Sequence, residues 1–289
     1  MKSDLFTNLV ANYNVYQISA VEIDGVTWLK PLEKIENSFS VMYNALAVVD
    51  EILVDFFRIG KFIDKNINKD DYMPLFYEEG ILRESRFNKE SIEINKNYLQ
   101  DANSPILKNN KDQITAYIIE FLNRYGFLGY QNRFISDQIV ENIVIHKFGK
   151  ESYQSTCPLS WAVYKIYETY LKYKNPDKYI QLCKKNVYTH NYIEKDKNSI
   201  NIKISLNVSY TSNGWLEKKH VWTLLDLISL FLFYNENKFI RECPCCSDFF
   251  VTTNEKAIYC SPICRNRYNT KKSYNKKKMI KNADNTETR

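Results

Sequence analysis

The sequence predicts an α+β fold: a mainly helical N-terminal domain with a small antiparallel sheet, then a small C-terminal module closed by four cysteines and continued into a basic helix. Three observations carry this. The 289 residues include only 7 glycines and 7 prolines against 22 tyrosines and 16 phenylalanines, a composition of long regular elements rather than of turn-rich sandwiches. Residues 200–210 alternate apolar and polar side chains with the period of a half-buried strand, while apolar residues elsewhere recur at helical spacing. Cys243, Cys246, Cys260 and Cys264 stand in the spacing C-x2-C-x13-C-x3-C.

The length accommodates one large and one small domain. The expected division is 1–238 for the larger, 239–282 for the cysteine module with its helix, and 283–289 for a tail.

Along the chain, the first thirty residues read as short strands, with Ile23-Asp24-Gly25-Val26 as a tight turn. Pro31 is expected to open a long helix to about Ile63, because Ile35, Phe39, Met42, Leu46, Val49, Leu53, Phe56 and Phe57 form a helical stripe. Gly60 reads as a weak break within it. Residues 65–110 are polar and carry loop signals. Helices are expected over 114–125, stopped by Gly126, over 135–148, and over 159–173, stopped near Asn175-Pro176. Residues 177–185 read as a further short helix.

The period then changes to two. Ile200, Ile202, Ile204, Leu206, Val208 and Tyr210 mark one face of a strand. Ser212-Asn213-Gly214 supplies a turn, and residues 215–221 its hairpin partner. Thr223, with Asp226 three residues on, has the pattern of a helix N-cap. The helix it starts, 224–235, is apolar nearly all round and is expected to be buried.

The cysteine spacing suits one tetrahedral, structural Zn2+ ion bound by Cys243, Cys246, Cys260 and Cys264. Each close pair can hold the metal with both sulfurs, and the intervening loop lets the pairs converge. Cys-Pro-x-Cys favours a tight knuckle, since proline fixes φ and backbone N–H groups can point at the sulfurs. Cys245 is a spare thiol able to compete for the metal, whereas the isolated Cys157 and Cys183 read as ordinary thiols. Phe249, Phe250 and Tyr259 are the aromatics available to a module too small for a core of its own.

Charge points to a partner. Net charge is +6, yet residues 256–289 hold ten basic and two acidic residues, so the rest of the chain is slightly acidic. After Cys264 no acid occurs before Asp284. Arg265, Arg267, Lys271, Lys272, Lys276, Lys277 and Lys278 fall on an expected helix with Tyr268 and Tyr274 interleaved. A localised basic patch of this kind is the electrostatic footprint of a phosphate-binding surface. Tyr268 is expected to pack back on the module.

Cys243-Pro244-Cys245-Cys246, Phe250, Tyr259-Cys260-Ser261 and Cys264-Arg265-Asn266-Arg267, followed by a basic helix, resemble the CGNR-type zinc fingers. Those fingers sit at the C-terminus of bacterial proteins regarded as transcriptional regulators. The resemblance covers residues 222–280. Arg265 stands where the family has glycine, while Asn266 and Arg267 match its last two letters. The resemblance implies a metal-stapled finger in a DNA-binding regulator.

The N-terminus lacks the pattern of a signal peptide, and no apolar run approaches the ~20 residues of a membrane span. Cysteines gathered in one metal-binding cluster fit a reducing compartment, so a cytoplasmic protein is expected, without membrane partners. Phosphate-loop, dinucleotide and nucleophile-elbow motifs are absent, and the three histidines (His146, His190, His220) are scattered. The expected partner is nucleic acid, DNA first, with the larger domain sensing a ligand or mediating assembly. Two other readings stay open: a protein-interaction module, including homo-oligomers, and a nucleic-acid-processing enzyme using the finger as a substrate grip.

Overall fold

A computed structural model of the chain describes residues 8–32, 41–67, 99–104, 106–108, 110–130, 135–150, 152, 155–177, 204–211, 214–235 and 237–284. The chain divides into two compact units, Met1–Asn235 and Glu236–Arg289. The architecture is α+β: helices with small sheets, and a cysteine cluster in the second unit.

In the first unit, β1 is Leu9–Val10, β2 Asn12–Val15, β3 Ile18–Ile23, β4 Val26–Pro31 and β5 Val41–Asn44. The tight turn expected at 23–26 joins β3 to β4. Asp24 and Gly25 both take positive φ there, 54° and 74°, the geometry that lets a two-residue loop follow strand twist. β6, Cys157–Pro158, adds antiparallel to the other edge of β4. Residues 204–211 form β7, and 214–221 return antiparallel as β8. Residues 200–203 lie outside the described residues, as does the turn at 212–213. The hairpin is antiparallel as expected, and β1 adds in parallel to the other edge of β8, Leu9 opposite Lys219.

The helix expected to open at Pro31 does not. Pro31 closes β4, and β5 pairs antiparallel with β2, placing Tyr43 opposite Tyr13. A single-turn 3-10 helix, Ala45–Val48, follows, with the Asn44 side chain accepting from the Leu46 N–H. The α-helix α1 runs only over Val49–Asn66, and it passes through Gly60 unbroken. Two members of the expected stripe, Ile35 and Phe39, lie outside the described residues.

The remaining helices are α2 (Lys111–Tyr125), α3 (Ile135–Phe148), α4 (Leu159–Lys174) and α5 (Leu224–Tyr234). Gly126 stops α2 with φ 89°, its N–H donating to the Leu122 carbonyl. Thr223 caps α5 as the sequence suggests: its Oγ1 accepts from the Asp226 N–H at 2.9 Å and donates to the Asp226 carboxylate at 2.7 Å. α4 is buried on every face from Leu159 to Leu171, and it packs with α1, α2 and α5. Trp28, Trp161, Tyr125, Tyr167, Phe56 and Phe57 are the largest fully buried side chains of this core. The short helix expected over 177–185 and most of 65–110 lie outside the described residues. Among those described, no helix is long and apolar enough to cross a membrane.

Candidate metal centre and basic helix

In the second unit, strand β9 (Phe239–Glu242) pairs antiparallel with β10 (Phe249–Thr252), from Glu242 opposite Phe249 to Phe239 opposite Thr252. The first cysteine pair occupies the tip of this hairpin. Two backbone bonds close the tip: Cys243 N–H to the Asp248 carbonyl, 2.8 Å, and Ser247 N–H to the Cys243 carbonyl, 2.7 Å. Ser247 has φ 60° to make that turn, a left-handed conformation that glycine would adopt without strain. Phe249 is buried behind the knuckle and anchors it.

The chain from β10 to the second pair is held by short-range bonds. The Arg241 guanidinium reaches across to the Glu255 carbonyl and lies over the Phe239 ring, 5.7 Å from its centroid. Asn254 Oδ1 accepts from the Lys256 N–H. Helix α6, Pro262–Asp284, then begins on a Ser-Pro pair. The Ser261 hydroxyl accepts from the Cys264 N–H at 3.2 Å, and the Ser261 carbonyl accepts from the Arg265 N–H. A serine cap followed by proline in the first helical position is a start signal readable in the sequence. It holds Cys264 in the first turn of α6.

These elements bring Cys243, Cys246, Cys260 and Cys264 together, with all four sulfurs within 4.8 Å of one another. Cys246 and Cys260 Sγ are 3.7 Å apart. Metal–sulfur bonds of about 2.3 Å in a tetrahedron require sulfur–sulfur edges of about 3.8 Å, which the Cys246–Cys260 pair meets, and the four together could hold a metal ion. Cys243 is fully buried, and Cys246 and Cys260 are exposed. Cys245, half-buried at the hairpin tip, stands outside the quartet.

Electrostatics favour a cation at the centre. Burial opposes ionisation of Cys243, but backbone N–H groups of Cys260, Cys246 and Cys245 aimed at its sulfur outweigh that and bring its pKa down to about 6. Desolvation of its sulfur by the neighbouring cysteines, with hydrogen bonding to the thiols of Cys264, Cys243 and Cys246, pushes Cys260 up to about 12 although the residue as a whole is exposed. Four sulfurs this close ionise together only when a cation offsets their mutual repulsion.

Of the side chains expected to meet nucleic acid, Arg265, Arg267, Lys271 and Lys272 all lie exposed on α6. They do not share one face. Helical geometry, about 100° per residue, sets Arg265 and Lys272 roughly 150° around the axis from Arg267. Lys276, Lys277 and Lys278 continue the same helix, and their side chains lie outside what is described. Tyr268 packs against Tyr259, ring centroids 5.5 Å apart, as expected, whereas Tyr274 is two-thirds exposed. Ile263, also exposed, shares a shallow surface groove with Asn266, Arg267, Thr270, Lys271 and Tyr274.

Among the described residues no other group of three or more His, Cys, Asp or Glu side chains could hold a metal ion. His146 lies on α3 and His220 on β8, while His190 lies outside the described residues. No protein-family model matches this chain, and comparison with curated proteins and with solved structures gives no match either.

Proposed function

We propose that the quartet holds a structural Zn2+ ion and that α6 binds DNA, making the protein a DNA-binding regulator of the kind the finger-like residues suggest. Four soft thiolates gathered around one centre favour zinc over harder cations. All four positions are taken by sulfur, so the metal's task is to fix the fold rather than to activate water. The observation that carries the reading is the placement of the quartet at the foot of α6: Cys260 lies just before the helix and Cys264 in its first turn. Closing the site therefore clamps the base of a 23-residue helix that carries no acid before Asp284. At about 1.5 Å per residue that helix is about 34 Å long, and with side chains it is about as wide as the DNA major groove.

Titration of the zinc-loaded full chain against duplex DNA at two salt concentrations tests this. Three phosphate contacts correspond to a salt slope of about −2.7, so affinity should fall about fortyfold when salt rises fourfold. Metal-loaded protein that shows no salt-sensitive binding would remove the DNA reading and leave the metal site standing.

A further inference from the structure

The two sides of α6 differ in composition, not only in position. One carries Ile263, Asn266, Arg267, Thr270, Lys271 and Tyr274, which together line a single groove along three helical turns. Ile263 and Tyr274 are 65% and 67% exposed and stand on the same groove, so this surface gains from being covered. Between them stand the residue types that read base edges: arginine pairs with the N7 and O6 of guanine, asparagine with adenine, and the threonine methyl packs on that of thymine. The Thr270 hydroxyl is already engaged by the Asn266 carbonyl at 2.9 Å, which leaves its methyl as the contacting group. The other side offers Arg265 and Lys272 beside Tyr268, which is only 36% exposed and packs against Tyr259.

We infer that the Asn266–Arg267–Thr270–Lys271–Tyr274 face of α6 reads base edges in the major groove of duplex DNA, with Arg267 and Asn266 toward the bases and Lys271 toward a phosphate. This rests on the DNA reading proposed above and adds sequence selectivity, a contact face and a non-contact face. Arg265 and Lys272 point away from the groove floor and contribute diffuse charge only. Tyr274 covers the distal end, against a sugar or a thymine methyl, and Ile263 the proximal end.

The test uses zinc-loaded full-length protein and a pool of randomised duplexes, from which bound sequences are selected and then titrated individually. Wild type is expected to enrich a short motif and to prefer it over random duplex. Arg267→Lys keeps the charge but loses the bidentate pairing, so the preference should fall about tenfold or more while binding to random duplex persists. Lys271→Gln should reduce the salt slope by about one and leave the motif unchanged. The double variant Arg265→Gln/Lys272→Gln should keep the motif. Zinc content and helicity of each variant establish that the module is intact, and Arg267→Gln provides a second reading of the position. Loss of the motif in Arg265→Gln/Lys272→Gln with its retention in both Arg267 variants would overturn the face assignment, as would salt-dependent binding without any enriched motif. Failure of wild type to bind duplex at all would instead overturn the DNA reading on which this rests.

Discussion

The ring of Tyr170 on α4 occupies the space where a side chain on Gly60 of α1 would begin. A Cβ placed on Gly60 would come within 2.5 Å of Tyr170 Cγ and 2.6 Å of its Cβ. These are the rigid base of the side chain rather than a flexible tip, and the ring is wedged against Phe57 at 5.5 Å and Tyr167 at 6.5 Å. Alanine would gain about 1 kcal/mol in helix propensity, but overpacking of this kind costs about 1–3 kcal/mol. Gly60→Ala is therefore expected to lower the thermal midpoint despite stabilising the isolated helix. Combining it with Tyr170→Leu should cost less than the two single changes added together, measured as a double-mutant cycle by denaturant unfolding.

Thr223 makes two bonds with Asp226, and Asp226 is almost fully buried at 1% exposure. Thr223→Ala removes the cap of α5 and takes away one partner of a buried carboxylate. The expected loss is at the upper end of the N-cap range, about 2 kcal/mol. Thr223→Ser should recover most of it. Equal unfolding midpoints for the alanine and serine variants would contradict this account.

These two sites show what the sequence could and could not disclose. The Thr223 cap and the alternation at 204–211 are local patterns, and so is the close pairing of the cysteines; each was readable because its physics lies within a few residues. The role of Gly60 was not, since its partner lies 110 positions away and a lone glycine in a helical stripe reads as a weak point. The helix wrongly expected from Pro31 fails for the same reason. Met42 and Leu46 are spaced by four, which fits a helix but also fits one face of a strand. The choice was made by pairing with β2, about thirty residues upstream, where Tyr13 stands opposite Tyr43, and by the Tyr43 hydroxyl donating to the Tyr125 carbonyl at the end of α2 at 2.7 Å. Parallel pairing of β1 with β8, some 210 residues apart, leaves no local trace at all. The grouping of the four cysteines was legible from spacing, whereas the division of the cationic residues between two sides of α6 needed the helix to be placed.

Ser247 supplies a prediction at the knuckle. Its φ of 60° is a conformation that costs an ordinary residue roughly 1–2 kcal/mol and glycine almost nothing. Ser247→Gly should raise the thermal midpoint of the metal-loaded second unit and slow metal loss to a chelator. Ser247→Val, β-branched at a positive φ, should do the reverse. The order Gly, Ser, Val in the rate of metal release, followed with a chromogenic chelator, is the expected result.

Metal removal should act on the two units unequally. Among the described residues the second unit has few buried apolar side chains, Phe249 foremost among its aromatics, whereas the first has an extensive core. A module of this size owes much of its folding free energy to metal binding. Chelation should therefore raise amide exchange throughout β9, β10 and the first turns of α6, while α1, α4 and α5 keep their protection. Uniform loss of protection across the chain would show that the metal supports the whole fold.

Cys245 allows the ligand set to be tested against its nearest competitor. It stands outside the group of four whose sulfurs lie within 4.8 Å. It follows Cys243 at a spacing of two, and the turn bonded from Ser247 to Cys243 directs Cys246 rather than Cys245 to the centre. Cys245→Ser should retain one metal ion per chain and the chelator resistance of wild type. Cys246→Ser should lose metal or bind it far more weakly, because a serine hydroxyl is a poor replacement for a thiolate on a soft cation. Metal content measured by elemental analysis, alongside thiol counting under denaturing conditions, separates the two. If Cys245→Ser lost the ion and Cys246→Ser kept it, the tip of the hairpin would have to be reversed, with a C-x-C pair as the first half of the site.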